Sequence, residues 1–195
     1  MKKIYHYPLW FLFALLCSCH ASRKSSTRPR PAETNAADIR STVKLTKKIP
    51  AQRINTKDVS ADSLVQFAET LIGVPYKYGS MDKNQGFDCS GFINYVFQHY
   101  RIKVPRRSED FTHAGKEVPI AESKRGDLIL FTGSNPNSGV VGHMGIITEN
   151  KKGIIRFIHA ASGNGVGVMI SGMNRYFVER FVKVIRVFSE LNSEP

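Results

Sequence analysis

The chain has 195 residues and a formal net charge of +12, enough length for one ordinary domain plus a tail. The charge is lopsided: residues 1–60 hold 12 Lys or Arg against 3 Asp or Glu, whereas residues 61–195 hold 16 against 13. The near-balance of the longer part argues against a basic nucleic-acid-binding domain, so no nucleic-acid partner is expected, and what remains is a basic tail that attracts polyanionic surfaces or stays extended by its own repulsion.

Residues 1–18 read as an export signal. Lys2 and Lys3 give a positive start, and the apolar run from Pro8 to Leu16 follows. That run is too short for a bilayer, which takes about 20 residues, but it suits a signal-peptide core. In Leu16-Cys17-Ser18-Cys19 the small Ser18 stands before Cys19, where a signal peptidase cuts. The tract resembles a bacterial lipoprotein box with Cys19 as the lipidated residue; an ordinary secretory signal is the alternative. Residues 19–59 carry Ser, Pro and scattered Lys and Arg with few large apolar groups, so they read as a flexible basic linker. The domain is expected over 60–190.

Within it, Ser60 or Asp62 can cap a helix running to about Ile72, whose apolar positions Leu64, Val65, Phe67, Ala68 and Leu71 keep the helical period. Gly73 and Pro75 end it. A loop, Tyr76 to Phe87, precedes a second helix from Cys89 to about Tyr100, for which Asp88 is a natural N-cap. A short helix is expected over Ser108 to Ala114. The pattern then changes to strands: Asp127–Phe131, His143–Thr148, Ile154–His159, Val166–Ile170 and Val182–Phe188, separated by turn signals. Helices first and strands after predict an α+β fold with the helices packed on an antiparallel sheet.

Of three cysteines only Cys89 lies in the domain, which leaves no partner for an intradomain disulfide and no thiolate-rich zinc site. At a helix start the unpaired N–H groups and the dipole stabilise a thiolate, and Gly91 keeps bulk away from the sulfur. A buried, inert core cysteine is the competing reading. Two histidines favour reactivity. His143 begins one strand and His159 ends the next, so a short turn between them can set the two side by side: one imidazole to take the thiol proton, the other to orient it. Zinc held by Cys89, His143, His159 and water is a further alternative, without supporting motif spacing. His99 and His113 read as solvated helix positions.

The motifs Tyr76-Lys77-Tyr78-Gly79, Phe87-Asp88-Cys89-Ser90-Gly91-Phe92, Val104-Pro105-Arg106, Arg125-Gly126-Asp127-Leu128, Gly142-His143-Met144-Gly145-Ile146 and Ile158-His159-Ala160 occur in that order. Together they resemble the NlpC-type peptidoglycan cysteine peptidases, a papain-like family. The resemblance spans about residues 62–188 and, with Ile170-Ser171-Gly172-Met173-Asn174, is nearest the Spr-type lipoprotein branch. It implies Cys89 as nucleophile, His143 as base and then acid, His159 as orienting group and Tyr76 as an oxyanion or substrate contact. It also implies support from Asp88 and Ser90, with Ser90 lining the substrate groove. Two positions depart from the family pattern: Phe111 stands where a Gln is frequent, and Gly79-Ser80 where Gly-Gly is.

The expected function is hydrolysis of peptidoglycan peptide bonds, either D-Ala–meso-diaminopimelate cross-links or γ-D-glutamyl–diaminopimelate bonds, with no metal or other cofactor. A non-catalytic wall-binding module, or a thiol amidase or acyltransferase of the same fold, are the alternatives. The expected partners are peptidoglycan and, through the anchor, a membrane. The expected state is a monomer in the cell envelope, at the outer membrane facing the periplasm in a Gram-negative host.

Overall fold

A computed structural model describes residues 53–163 and 166–189; the signal, Cys19 and most of the linker lie outside them. Helix α1 spans Ala61–Glu69. Its start is set by Ser60, whose hydroxyl accepts the Ser63 N–H at 3.1 Å. Ala61, Leu64, Val65 and Ala68 form its buried face. The loop that follows contains a two-stranded hairpin, β1 (Met81–Asp82) and β2 (Gly86–Phe87). Helix α2 runs Cys89–His99 and buries Phe92, Ile93, Val96 and Phe97.

Six further strands form one antiparallel sheet: β3 (Lys116–Val118), β4 (Leu128–Thr132), β5 (Val141–Lys151), β6 (Ile154–Ala161), β7 (Gly167–Gly172) and β8 (Phe181–Arg186). Their order is β3-β8-β4-β5-β6-β7. A short helix α3, Arg175–Val178, lies between β7 and β8. Alternation along each strand sends side chains to opposite faces. Leu128 and Leu130 join the core beneath α1 and α2, with Ile146, Ile158 and Ile185. Ile129 and Phe131 join a second cluster with Ile147, Phe157 and Phe177. The expected α+β architecture is therefore the observed one.

Four expectations need adjustment. The segment Ser108–His113 is a 3₁₀ turn, not an α-helix. Strand β5 begins at Val141 and continues to Lys151, beyond the expected His143–Thr148, because both its flanking strands extend the ladder. The core also reaches back into the segment read as linker: Ile54 is buried and its N–H donates to the Ala114 carbonyl at 3.1 Å. Phe111 is fully buried among core residues, so its departure from the family pattern alters packing and not a groove contact.

The Arg125-Gly126-Asp127-Leu128 motif is scaffold. Arg125 joins α1 to the sheet through Asp62 at 2.7 Å and Glu69 at 3.0 Å. Asp127, 2% exposed, accepts the Lys124 N–H at 2.8 Å and both arms of Arg186 at 2.9–3.0 Å. Removing one partner of a buried pair leaves the other charge uncompensated, at a cost of about 3–5 kcal/mol. Asp127→Ala is therefore expected to lower Tm by roughly 10 °C, at 2–4 °C per kcal/mol for a chain of this size. Thermal unfolding followed by circular dichroism checks this, and a shift under about 2 °C would contradict it.

Candidate active site

Cys89 sits at the first position of α2. Asp88 caps that helix, its Oδ1 accepting the Gly91 N–H at 2.5 Å. A Cβ on Gly91 would lie 2.0 Å from the Ser80 carbonyl oxygen, so glycine here serves the close approach of the 80s loop, not clearance for the sulfur. Arg106 fastens the same region. Its guanidinium donates to Ser90 Oγ at 2.8 Å, to Asp88 Oδ2 at 3.0 Å and to the Gly79 carbonyl at 3.0 Å. Asp88 and Ser90 are both buried, and neither lines the cavity that Cys89 opens into. The Ser90 hydroxyl is turned to Asp88 and Arg106. Arg106, quoted for its motif but given no role from the sequence, is the residue that ties three motifs into one frame.

The histidines stand on neighbouring strands. The register that pairs Ile146 with Ile158 puts Gly145 level with His159, and His143 two residues along the same face. Such diagonal neighbours are within reach of long or aromatic side chains. A Cβ on Gly145 would meet the Ile158 carbonyl and the Phe157 ring at 2.8 Å, so a larger residue there would displace the strand that carries His159. Across this gap His143 Nε2 and His159 Nδ1 are 2.9 Å apart, with the rings near-perpendicular. His159 Nε2 is in turn 2.9 Å from Ser171 Oγ, on β7. Phe131, Phe157 and Phe177 pack around the pair.

Cys89 and His143 line one cavity of about 150 Å³, together with Tyr76, Thr132, Tyr176 and Arg180. In this structure the thiol lies 3.5 Å from Ser108 Oγ and 3.8 Å from the Gly142 carbonyl. No hydrogen bond joins it to His143 among the described residues; unliganded sites are commonly looser than reacting ones. Each sequence-identified residue of the Cys89, His143, His159 and Tyr76 set is thus at or directly behind the cavity. Ser108, Ser171 and Arg180 were not singled out. Only Ser171 lay within a quoted motif, and their roles depend on long-range packing. His99 and His113 are exposed and away from the cavity, His99 lying flat on Phe67 at 3.7 Å.

The electrostatics run against one expectation. Burial pushes the Cys89 thiol pKa up, opposed by the Ser108 hydrogen bond and reinforced by the Asp88 charge. The helix start was expected to favour thiolate, but desolvation of the sulfur outweighs it. Burial also lowers His143 to about 4 and, with the neighbouring His143, His159 to about 3. The resting site is therefore a neutral thiol beside neutral imidazoles. Burial raises the Tyr76 phenol as well, which keeps it protonated and able to donate.

The histidine shifts have a consequence for stability. An unfolded chain takes up these two protons as pH falls below about 6.5, whereas the folded pair resists until about 4. Between those values the unfolded state binds more protons, so stability falls on acidification. Tm is expected to drop across pH 6.5 to 4, and to drop less in a His143→Gln, His159→Gln double variant. Parallel Tm curves for the two proteins would contradict the assignment.

The profile of the NlpC/P60 family matches residues 73–186. Over 139 residues the chain is 33% identical to the murein DD-endopeptidase MepS/murein LD-carboxypeptidase of Escherichia coli (strain K12), covering 70% of this chain and 67% of that protein. It is 38% identical over 122 residues to the gamma-DL-glutamyl hydrolase of Bacillus subtilis (strain 168), covering 62% of this chain but only 28% of that longer protein. Among solved structures, an NlpC/P60 family protein from Bacillus cereus superimposes with a TM-score of 0.59 at 25% identity, over 68% of this chain and 42% of that one. The family match takes in the helix that starts at Cys89, the two histidine strands and the frame around them, and the chain belongs to the NlpC/P60 family.

Proposed function

We propose that the chain is a cysteine peptidase that hydrolyses peptide bonds in the stem peptides or cross-links of bacterial peptidoglycan. The observation that carries this reading is the lone domain thiol at a helix start, in one cavity with an imidazole whose far nitrogen is held by a second imidazole. The pair's nitrogens are committed to each other at 2.9 Å, which favours proton transfer over joint metal ligation. A relative named as a murein DD-endopeptidase supports an amide bond of the wall as substrate, and one named as a gamma-DL-glutamyl hydrolase supports a glutamyl amide.

The chemistry follows from the hydrogen-bond chain. For His143 to act as base, the required tautomer of His159 donates Nε2–H to Ser171, which leaves His159 Nδ1 as an acceptor. His143 then carries its proton on Nε2, and its Nδ1 lone pair is available as base. As Cys89 sulfur attacks the substrate carbonyl, His143 Nδ1 takes the thiol proton. The Cys89 N–H and Tyr76 hydroxyl donate to the developing oxyanion. His143 returns the proton to the departing amine, leaving a thioester. Water then attacks that thioester, giving a proton to His143, and the restored thiol is released with the carboxylic product. Burial raises the thiol pKa and lowers that of the imidazole, which favours proton transfer in step with attack.

Digestion of purified cross-linked muropeptides, read by mass spectrometry, tests the reading and the bond. Each cut adds one water, and the fragment masses separate cross-link from intra-stem cleavage. EDTA should leave the digest unchanged. Cys19 is proposed as the lipidated residue, holding a monomeric enzyme at the cell envelope, in a Gram-negative host at the outer membrane facing the periplasm. Cys19→Ala is expected to move the protein out of the membrane fraction or block its maturation; unchanged partition would refute the anchor.

A further inference from the structure

Thr132, Tyr176 and Arg180 line the same cavity as Cys89 and Tyr76. Among the described residues lining the cavity, Arg180 alone carries a full charge. Its guanidinium is preorganised: the carbon stacks 3.8 Å above the Tyr176 ring, and one nitrogen donates to the Tyr176 carbonyl at 3.1 Å. The nearest carboxylate is loosely placed, Glu179 at 4.0 Å, and that group is already paired with Arg175 at 2.8 Å. The other terminal nitrogen donates to the Ser134 carbonyl at 3.5 Å, so the positive charge has only a distant and shared counterion at the cavity wall, where low dielectric strengthens its pull on an anion.

A second observation points to the same wall. Among the described residues, two buried side-chain polar atoms have no hydrogen-bond partner, Thr132 Oγ1 and Arg180 Nε. Both residues line this one cavity, and the Thr132 N–H donates to the Arg180 carbonyl at 2.8 Å, so they are fixed beside each other. An unsatisfied buried polar group is costly and calls for a ligand or another role. Both atoms are closed to solvent as the cavity stands, so a ligand reaches them only when the Thr132 or Arg180 side chain turns; the positive charge of this wall suits a carboxylate oxygen better than a neutral carbonyl. The cavity, about 150 Å³, has room for a small carboxylate-bearing residue.

We infer that Arg180 and Thr132 form a subsite for a free carboxylate of the stem peptide, adjacent to the bond that Cys89 attacks. The subsite makes the enzyme discriminate acidic stems from amidated ones. This rests on the peptidase reading, and the test keeps the two apart by measuring binding in the absence of turnover. Two muropeptides that differ only in amidation of the carboxylate next to the scissile bond are titrated by calorimetry into the Cys89→Ala chain. The acidic peptide is expected to bind about 10- to 100-fold more tightly, the scale of one charge-assisted contact. Adding Arg180→Gln should remove that preference while changing affinity for the amidated peptide less than about threefold. Thr132→Val, a gentler change, should reduce the preference several-fold, and Arg180→Lys should keep part of it. Equal affinity for the two peptides in Cys89→Ala, or an equal loss for both in Arg180→Gln with Thr132→Val silent, would overturn the subsite. Catalysis is then read separately: turnover of both peptides at equal kcat/KM by the wild type would overturn the subsite while leaving the peptidase reading intact.

Discussion

Cys89→Ala is expected to reduce cleavage of cross-linked muropeptides by roughly 10⁴- to 10⁶-fold, the scale seen when a covalent nucleophile is removed. No other thiol stands among the described residues to substitute for it. The fold should survive. The Cys89 side chain packs at the edge of the core and makes sulfur contacts with Ser108 and Gly142, a small volume to lose, and the cap that starts α2 belongs to Asp88. Alanine is also a good helix former. Tm should therefore stay within a few degrees of the wild type, and the comparison separates chemistry from folding. Cys89→Ser should be comparably inactive, because the hydroxyl is a poorer nucleophile against a base as weak as a buried imidazole.

His143→Ala should be nearly as damaging, since in the proposed mechanism one imidazole both takes the thiol proton and delivers it to the leaving amine. For His159→Ala, a loss of roughly 10²- to 10⁴-fold is expected, the range for a residue that fixes the tautomer and aim of a catalytic histidine. Ser171→Ala should cost less again, about threefold to tenfold, with Ser171→Thr restoring part of it. This ordering follows from the distance of each group from the reacting sulfur along the chain Cys89, His143, His159, Ser171. Measured kcat values in which His159→Ala is as active as the wild type would break the chain at its second link.

Much of this site could be read from the sequence because its local signals are strong. Asp88 before an apolar helix places Cys89 at a helix start without any knowledge of the fold, and the observed cap is that one. The strand period of 143–148 and 154–159, joined by a Lys-Lys-Gly turn, brings the histidines together, and the observed register does so. Strand β3 was invisible for the opposite reason: its three residues are mostly polar and gain strand geometry only by pairing with β8, some 70 residues away. Helix α3 spans four residues, too few for a periodic signal, and rests on the Asn174 cap at 3.2 Å.

The supporting groups were equally hidden. Arg106 acts on Asp88 and Ser90 from 16 to 18 positions away, and Ser171 meets His159 only because β6 pairs with β7. Neither relation has a spacing rule. The direction of the Cys89 shift was missed because the helix-dipole argument is local, whereas desolvation comes from the whole surrounding core.

In the proposed mechanism the Cys89 sulfur performs the cleavage. The most direct measurement is alkylation with iodoacetamide to graded extents, with occupancy at Cys89 quantified by peptide mass mapping and residual muropeptide cleavage assayed on the same samples. Activity should fall in direct proportion to the unmodified Cys89 fraction and reach zero at one carbamidomethyl group per Cys89, whatever the state of Cys17 and Cys19. Cleavage that persists in a sample whose Cys89 is fully modified would contradict the account.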